Sequence, residues 1–445
     1  MDSFLGTDTD VSCIDAESLA FPAKIPISVE VCLKADSSAS FDHVRASIFR
    51  LLAKRHQAFA NGPVVLDSGE DPFIDGNVAS INFVDIDEQA IGNQVILFWQ
   101  VDLQISIFKL CRGGAVEDME QEQEVASFES WNLPSEDFHG LWESLVYDSG
   151  IKHRLLRYAG SALLFSDKGV NCQLVSWNRV VLLFGPPGTG KTSLCKALAQ
   201  KLSIRFKERY QTAHLIEVNA HSLFSKWFSE SAKLVSKLFS HIQSFVEDQS
   251  SLVFVLIDEV ESLAAARQAA LNGSDPSDAI RVVNALLTQL DKLKHHSNVM
   301  MLTTSNITHA IDLAFIDRAD IKAFIGPPSL QGRYNMLHSS FCELQRVGIV
   351  EEEEGDTVYP CTYNEVTLSD SENNDSGSKG LHLGKRLLQV AQSCEGLSGR
   401  ILRKLPFLAH ATSSVPGSCS ADIFIDKLQS AVQKELEDRN NMAES

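Results

Sequence analysis

The chain has 445 residues, 44% hydrophobic and 22% charged, an ordinary globular composition with room for about two or three domains. Against 58 Asp+Glu there are 39 Lys+Arg, a formal net charge of -19 with no long basic run, which disfavours a broad nucleic-acid surface. Nine scattered cysteines without a C-x-x-C pair disfavour a disulfide framework or zinc site, and no secretory leader or bilayer-length apolar run is evident. A soluble, intracellular protein is expected.

In chain order, a Ser/Thr/Asp-rich opening is expected to be loose. Ile27, Val29, Val31 and Leu33 then alternate with Ser28, Glu30, Cys32 and Lys34, which predicts a half-buried strand. Phe41, Val44, Ile48, Leu51 and Leu52 recur at helical spacing, and Ile81–Val84 and 95–110 supply further strand signals. These predict a small α+β domain over residues 1–130, ending in an acidic, Gln-rich linker near Glu117–Glu124. No catalytic cluster is visible in it.

Residues 131–328 alternate short apolar strands (Val180–Phe184, Leu215–Val218, Leu252–Ile257, Val299–Thr303) with helices (Thr192–Lys201, Ile280–Leu293). That alternation predicts a parallel α/β sheet. Residues 329–445 read as a mostly helical lid, with an acidic, Ser/Asn-rich insert over 351–380 expected to stay unpacked and mobile.

The chemistry begins at Gly185-Pro186-Pro187-Gly188-Thr189-Gly190-Lys191-Thr192, which fits G-x-x-x-x-G-K-[ST] between a strand and a helix that opens with Ser193. Its backbone amides and the helix N-terminus suit the β-phosphate of ATP. Lys191 is placed to reach the β- and γ-phosphates, and the Thr192 hydroxyl to hold Mg2+. The bland reading, a Gly/Pro turn, does not explain both flanks.

Downstream, the apolar strand Leu252–Ile257 ends in Asp258-Glu259. Asp258 suits the magnesium shell, while Glu259 suits the general base that orients and polarises the attacking water. Asn306 leaves the strand Met301–Asn306, where it is either a water or γ-phosphate ligand or a turn cap. Arg318 in Asp317-Arg318-Ala319-Asp320 and Arg400 in Gly396-Leu397-Ser398-Gly399-Arg400 are, on their own, surface arginines.

With Ser225-Lys226-Trp227-Phe228-Ser229-Glu230-Ser231, the block Val180–Pro328 resembles the AAA+ ATPase family. More narrowly it resembles the pachytene checkpoint protein 2 class. The stretches that carry this are Trp177–Leu183, Thr303–Thr308, Phe315–Lys322 and Gly396–His410. The resemblance implies an AAA+ parallel-sheet ATPase core with a helical lid, preceded by a small α+β domain that recognises substrate or adaptor. It implies an ATP- and Mg2+-dependent homohexameric ring that converts HORMA-domain proteins from closed to open with a HORMA-fold adaptor. It also gives roles to Arg318, acting on a neighbouring subunit's ATP, to Arg400, touching the γ-phosphate from the lid, and to Lys226, Trp227 and Phe228 as a substrate-gripping pore loop. A second pore loop is implied over 266–278.

The class further implies work in the nucleus and on chromosomes, with a cytoplasmic pool: meiotic chromosome-axis and synaptonemal-complex regulation, recombination and spindle-checkpoint signalling. No membrane and no sequence-specific nucleic acid is expected. A microtubule-severing motor shares the Ser-Lys-Trp loop but calls for basic pore loops, and an ATP-gated scaffold leaves Glu259 and Asn306 without a use. A DNA-directed loader calls for a basic patch that the sequence lacks. For adenine, the segment entering the core near Ile151 is the expected neighbour.

Overall fold

The computed structural model describes residues 24–54, 61–64, 69–84, 86, 100–117, 128–147, 150–171, 173–219, 231–262, 278–306, 313–351, 358–371, 378–412 and 417–444. Two compact units divide at Lys109/Leu110.

In the first unit, β1 (Ile25–Leu33), β2 (Gly62–Pro63), β3 (Val78–Val84) and β4 (Val101–Phe108) form a sheet of order β2-β3-β1-β4. β1 pairs antiparallel with β3 and parallel with β4. The alternation at Ile27–Leu33 predicts one wet face, yet Glu30 and Cys32 are buried as well. A strand in the middle of the sheet, between two partners, has less access to solvent than the pattern alone suggests. The helix Phe41–Ala53 buries Val44, Ile48, Leu51 and Leu52 at helical spacing, in one core with Ile27, Val29 and Val31.

The second unit is built on β5 (Val116–Glu117), β6 (Glu129–Leu133), β7 (Val180–Phe184), β8 (Thr212–Asn219), β9 (Ser251–Asp258), β10 (Val299–Ser305) and β11 (Ile321–Phe324). Their order is β11-β7-β10-β9-β8-β6-β5. The five strands from β11 to β8 are parallel, whereas β6 joins β8 and β5 joins β6 antiparallel. β7, β9 and β10 read as continuous apolar runs because helices cover both faces. One face packs against helices Ile151–Asp167 and Lys191–Arg205, the other against Ser231–Glu247, Asp278–Leu293 and Leu313–Arg318.

Two expected boundaries shift. The first was placed near residue 130, but Val116–Glu117 and Glu129–Ser130 pair with each other on the ATPase sheet, so the second unit starts earlier. Phe128 on the near side of the expected boundary and Trp131 and Leu133 beyond it are buried in the ATPase core, and the Gln200 side-chain amide exchanges two 2.9 Å bonds with the Ser135 backbone. The second concerns the insert at 351–380, expected to stay unpacked throughout. Within it Tyr363–Ser371 is a helix whose Val366 is fully buried, and Tyr334 Oη donates to the Cys361 carbonyl. Tyr363, Val366 and Cys361 supply enough apolar surface to dock on the lid despite the acidic flanks.

The lid proper is formed by helices Leu330–Arg346, Lys379–Ser393, Gly399–Ala411 and Ala421–Glu444 around Tyr334, Phe341, Leu387, Leu405 and Phe424. Arg333, nine-tenths buried, donates to the carbonyls of Ala391 (2.8 Å) and Pro328 (3.1 Å) and so fastens the lid to the segment that leaves β11. Among the described residues no helix is long and apolar enough to cross a membrane.

Candidate functional site

The parallel register sets the C-terminal ends of β7, β10 and β9 side by side: Ser305 pairs with Phe184, and Thr303 with Ile257. Ligands of open α/β sheets bind at this edge. A cleft of about 510 Å3 opens there, lined by Pro187–Ser193, Asp258, Glu259 and Asn306 from the core and by Met336, Gly399 and Arg400 from the lid. This brings together most of the residues singled out in the sequence. Gly185 and Pro186 lie just behind, receiving Lys191 Nζ on their carbonyls at 3.0 and 2.8 Å. Burial pushes the Lys191 ammonium below the usual lysine value, and the nearby carboxylates of Glu261 and Asp258 oppose that shift.

Three glycines of the loop are required by close approach, Gly185 against the Ile325 carbonyl and two more beside the cleft. Gly190 (φ +88°) opens the helix Lys191–Arg205, and a Cβ on it meets Tyr147 Oη at 2.7 Å. Gly188 (φ +78°) lies under the lid, where a Cβ meets Ser398 Oγ at 2.8 Å. The amides at the start of that helix, with its dipole, suit an anionic phosphate.

Thr192 Oγ1 donates to Asp258 Oδ1 at 2.9 Å. Two hard oxygen donors meeting beside a phosphate cradle fit a magnesium ion, which takes one or two protein oxygens and completes its shell with water and phosphate. Glu259 turns away from Asp258 through a left-handed backbone (φ +58°), and Asn306 Nδ2 donates to its Oε1 at 3.4 Å. Asn306 is thereby a partner of the carboxylate rather than only a turn cap, and its backbone amide donates to Glu261 Oε1 at 3.1 Å. The helix that follows the glycine-rich loop supplies Thr192, the end of β9 supplies Asp258 and Glu259, and the end of β10 supplies Asn306, a layout able to serve in-line attack of water on a terminal phosphate.

Arg400 lines the cleft from the lid, and its backbone amide donates to the Gly188 carbonyl at 3.0 Å. Arg318 does not line it. Its guanidinium instead grips Asp291 with two prongs, Nε to Oδ1 at 3.0 Å and Nη2 to Oδ2 at 2.7 Å, and this pairing holds the Asp291 carboxyl below the usual range. Lys226, Trp227 and Phe228, and most of the second pore loop expected over 266–278, lie outside the described residues.

Sequence reasoning missed several lining groups. Ile151 is a core residue beside Leu155 and Trp142, not a wall of the cleft. Its place is taken by Leu145, Val146 and Tyr147, just upstream, with Met336 opposite. Tyr147 Oη donates toward the carbonyls of Thr189 (3.2 Å) and Gly190 (3.1 Å). Arg403 also lines the cleft and reaches the Ser144 carbonyl. The helical spacing of Arg403 from Arg400 is the sequence signal that could have found it.

Family comparison agrees with this geometry. Residues 181–327 match the model for the ATPase family associated with various cellular activities, residues 329–436 the TRIP13-like AAA+ ATPase lid C-terminal domain, and residues 22–113 the TRIP13 N-terminal domain. A pachytene checkpoint protein 2 homolog of Oryza sativa subsp. indica is 55% identical over 96% of this chain and 92% of its own length. The chain belongs to the pachytene checkpoint protein 2 family of AAA+ ATPases. The human homolog of that name is 47% identical over 94% of this chain and 95% of its own. The structure of C. elegans PCH-2 superposes with a TM-score of 0.74 at 35% identity, covering 93% of this chain and 99% of that one. As a member of this family the chain is an ATP-hydrolysing enzyme with an AAA+ core, a helical lid and a family-specific N-terminal domain.

Proposed function

We propose that this ATPase works as a homohexameric ring that opens closed HORMA-domain proteins, presented by a HORMA-fold adaptor, on chromosomes in the nucleus with a cytoplasmic pool. Its processes are then meiotic chromosome-axis and synaptonemal-complex regulation, recombination and spindle-checkpoint signalling. The observation that carries this reading is the three-part match: an N-terminal domain of this family stands before the ATPase core and lid, and relatives named for the pachytene checkpoint align over nearly their whole length.

In the reaction, the amides of Gly188–Thr192 and the Lys191 ammonium bind the β- and γ-phosphates, and Thr192 and Asp258 hold Mg2+. When bound, the metal supplies neutralising charge for the transferring phosphoryl group. Glu259, with Asn306 on its carboxylate, orients the water and takes its proton. Arg400 adds positive charge from the lid. Arg318 acts across a subunit boundary on the neighbour's ATP, consistent with its place outside its own cleft. Trp227, flanked by Lys226 and Phe228, grips an extended substrate segment by apolar contact and stacking.

The test is ATP hydrolysis by the purified protein with and without a closed HORMA-domain protein and its adaptor, beside the Trp227→Ala variant. Turnover stimulated by the pair, with opening lost in Trp227→Ala, supports the remodelling motor. Turnover indifferent to the pair, or opening that survives loss of Trp227, overturns it.

A further inference from the structure

β10 carries two adjacent threonines, both buried, whose hydroxyls do different things. Thr303 Oγ1 donates to the Val181 carbonyl at 3.0 Å, a strand-to-strand bond that reaches no side chain of the cleft. Thr304 Oγ1 donates to Asp258 Oδ1 and accepts from the Glu259 backbone amide at 3.3 Å. The Thr304 carbonyl then accepts from the Val260 amide at 3.0 Å. One residue on the neighbouring strand thus holds three consecutive positions at the end of β9.

That hold falls where the backbone most needs it. Glu259 has φ +58°, a left-handed conformation that a non-glycine residue keeps only when its surroundings fix it. Among the described residues Arg179 is the only other non-glycine with positive φ, and its side chain is anchored by hydrogen bonds to Val299, Ser166, Lys294 and His296. A hydroxyl has one proton to give and lone pairs to receive with, so Thr304 can serve a carboxylate and an amide at the same time. Valine keeps the shape and neither bond.

We propose that Thr304 is the positioning residue of the hydrolytic site, orienting the Asp258 carboxylate toward the metal side and fixing the backbone turn that aims Glu259 at Asn306. It acts through Asp258 and Glu259 and touches no phosphate. The inference rests on the assignment of Asp258 to Mg2+ and Glu259 to water, so its test includes a variant of that assignment.

The full-length protein is compared with Thr304→Val, Thr304→Ser, Thr303→Val and Glu259→Gln. Two readouts are taken: steady-state hydrolysis, and direct binding of a fluorescent ATP analogue in Mg2+ and in EDTA. Thr304→Val is expected to lose about tenfold or more in kcat, the usual cost of removing a group that orients a metal ligand. It is also expected to bind the analogue normally in EDTA while losing most of the tightening that Mg2+ brings. Thr304→Ser, which retains the hydroxyl, restores both, and Thr303→Val changes neither although it too removes a buried hydroxyl.

Parental kcat and Mg2+ response in Thr304→Val overturn the proposal, as does an equal loss in Thr303→Val, which reduces the effect to packing. If Glu259→Gln hydrolyses ATP at the parental rate, the underlying site assignment fails and the role of Thr304 with it. If Glu259→Gln is inactive while Thr304→Val is unimpaired, only the role of Thr304 fails.

Discussion

The backbone amide of Arg400 donates to the carbonyl of Gly188 at 3.0 Å, so the lid meets the phosphate-binding loop through main chain and not only through side chains. A movement of the lid therefore pulls on this loop, and a nucleotide held by the loop would in turn bear on the lid.

Beneath the lid, a side chain on Gly188 has to displace its neighbours and hold a left-handed backbone. A Cβ meets Ser398 Oγ at 2.8 Å and the Arg400 Cβ at 3.3 Å, at a backbone φ of +78°. Gly188→Ala is expected to weaken nucleotide binding by about tenfold, the equivalent of the ~1–3 kcal/mol that such backbone strain costs. The lid helices stay folded, since their core does not include Gly188. Titration with a fluorescent nucleotide measures it, and parental affinity in the variant refutes the lid-to-loop coupling.

Tyr147 supports the same loop through its hydroxyl. Its single proton is shared between two loop carbonyls, so Tyr147→Phe removes the worth of about one hydrogen bond, ~1 kcal/mol. The ring still fills its place, so stability falls by no more than about that figure, and nucleotide affinity falls by up to about fivefold where the loosened loop must be re-ordered on binding. An unchanged affinity by calorimetry shows that the hydroxyl does not shape the loop.

Much of this site was legible because a parallel sheet buried on both faces writes itself as continuous apolar runs, and its chemistry sits at the strand ends. Val180–Phe184 led directly to Gly185–Thr192, and Leu252–Ile257 to Asp258 and Glu259. Val116–Glu117 and Glu129–Ser130 were not legible as sheet members, because short antiparallel additions rich in polar residues carry no periodicity. Tyr147 and Thr304 were not legible as supports, since a hydroxyl's partner is fixed by tertiary placement and both partners are distant in the chain. The helix Tyr363–Ser371 was hidden by acidic flanks, with Val366 as its one fully buried apolar anchor.

Lys152 predicts a pH dependence of stability. Burial pushes its ammonium down to about 8, with Glu143 opposing and Lys201 adding to the shift. Its Nζ lies over the Trp142 ring, and Lys201 pairs with Glu143 at 2.7 Å. Between about pH 8 and the unfolded lysine value near 10.4, the unfolded chain binds more protons at this site than the folded one. The contribution of Lys152 to stability therefore rises with pH across that window, is complete above it and is lost below about 8. Denaturant melts at several pH values should show this rising component in the parent and lack it in Lys152→Met; the same slope in both places its origin elsewhere.

Arg318 offers the most decisive test of how the site is completed. Asp291 holds its guanidinium in a two-pronged grip, and Asn178 Nδ2 donates to its backbone carbonyl at 3.0 Å, so both side chain and main chain are fixed. If the arginine serves the ATP of the next subunit, Arg318→Ala loses about a hundredfold or more in kcat, the cost of removing one transition-state donor, with nucleotide binding intact. Arg318→Lys does not recover it, because a single ammonium cannot reproduce the fork. The distinguishing measurement mixes Arg318→Ala with Glu259→Gln, each inactive alone. In a mixed ring a Glu259→Gln subunit still offers its arginine to a neighbour that retains Glu259, so hydrolysis should reappear on mixing. An arginine acting within its own subunit leaves every mixture inactive, because no chain then carries both groups.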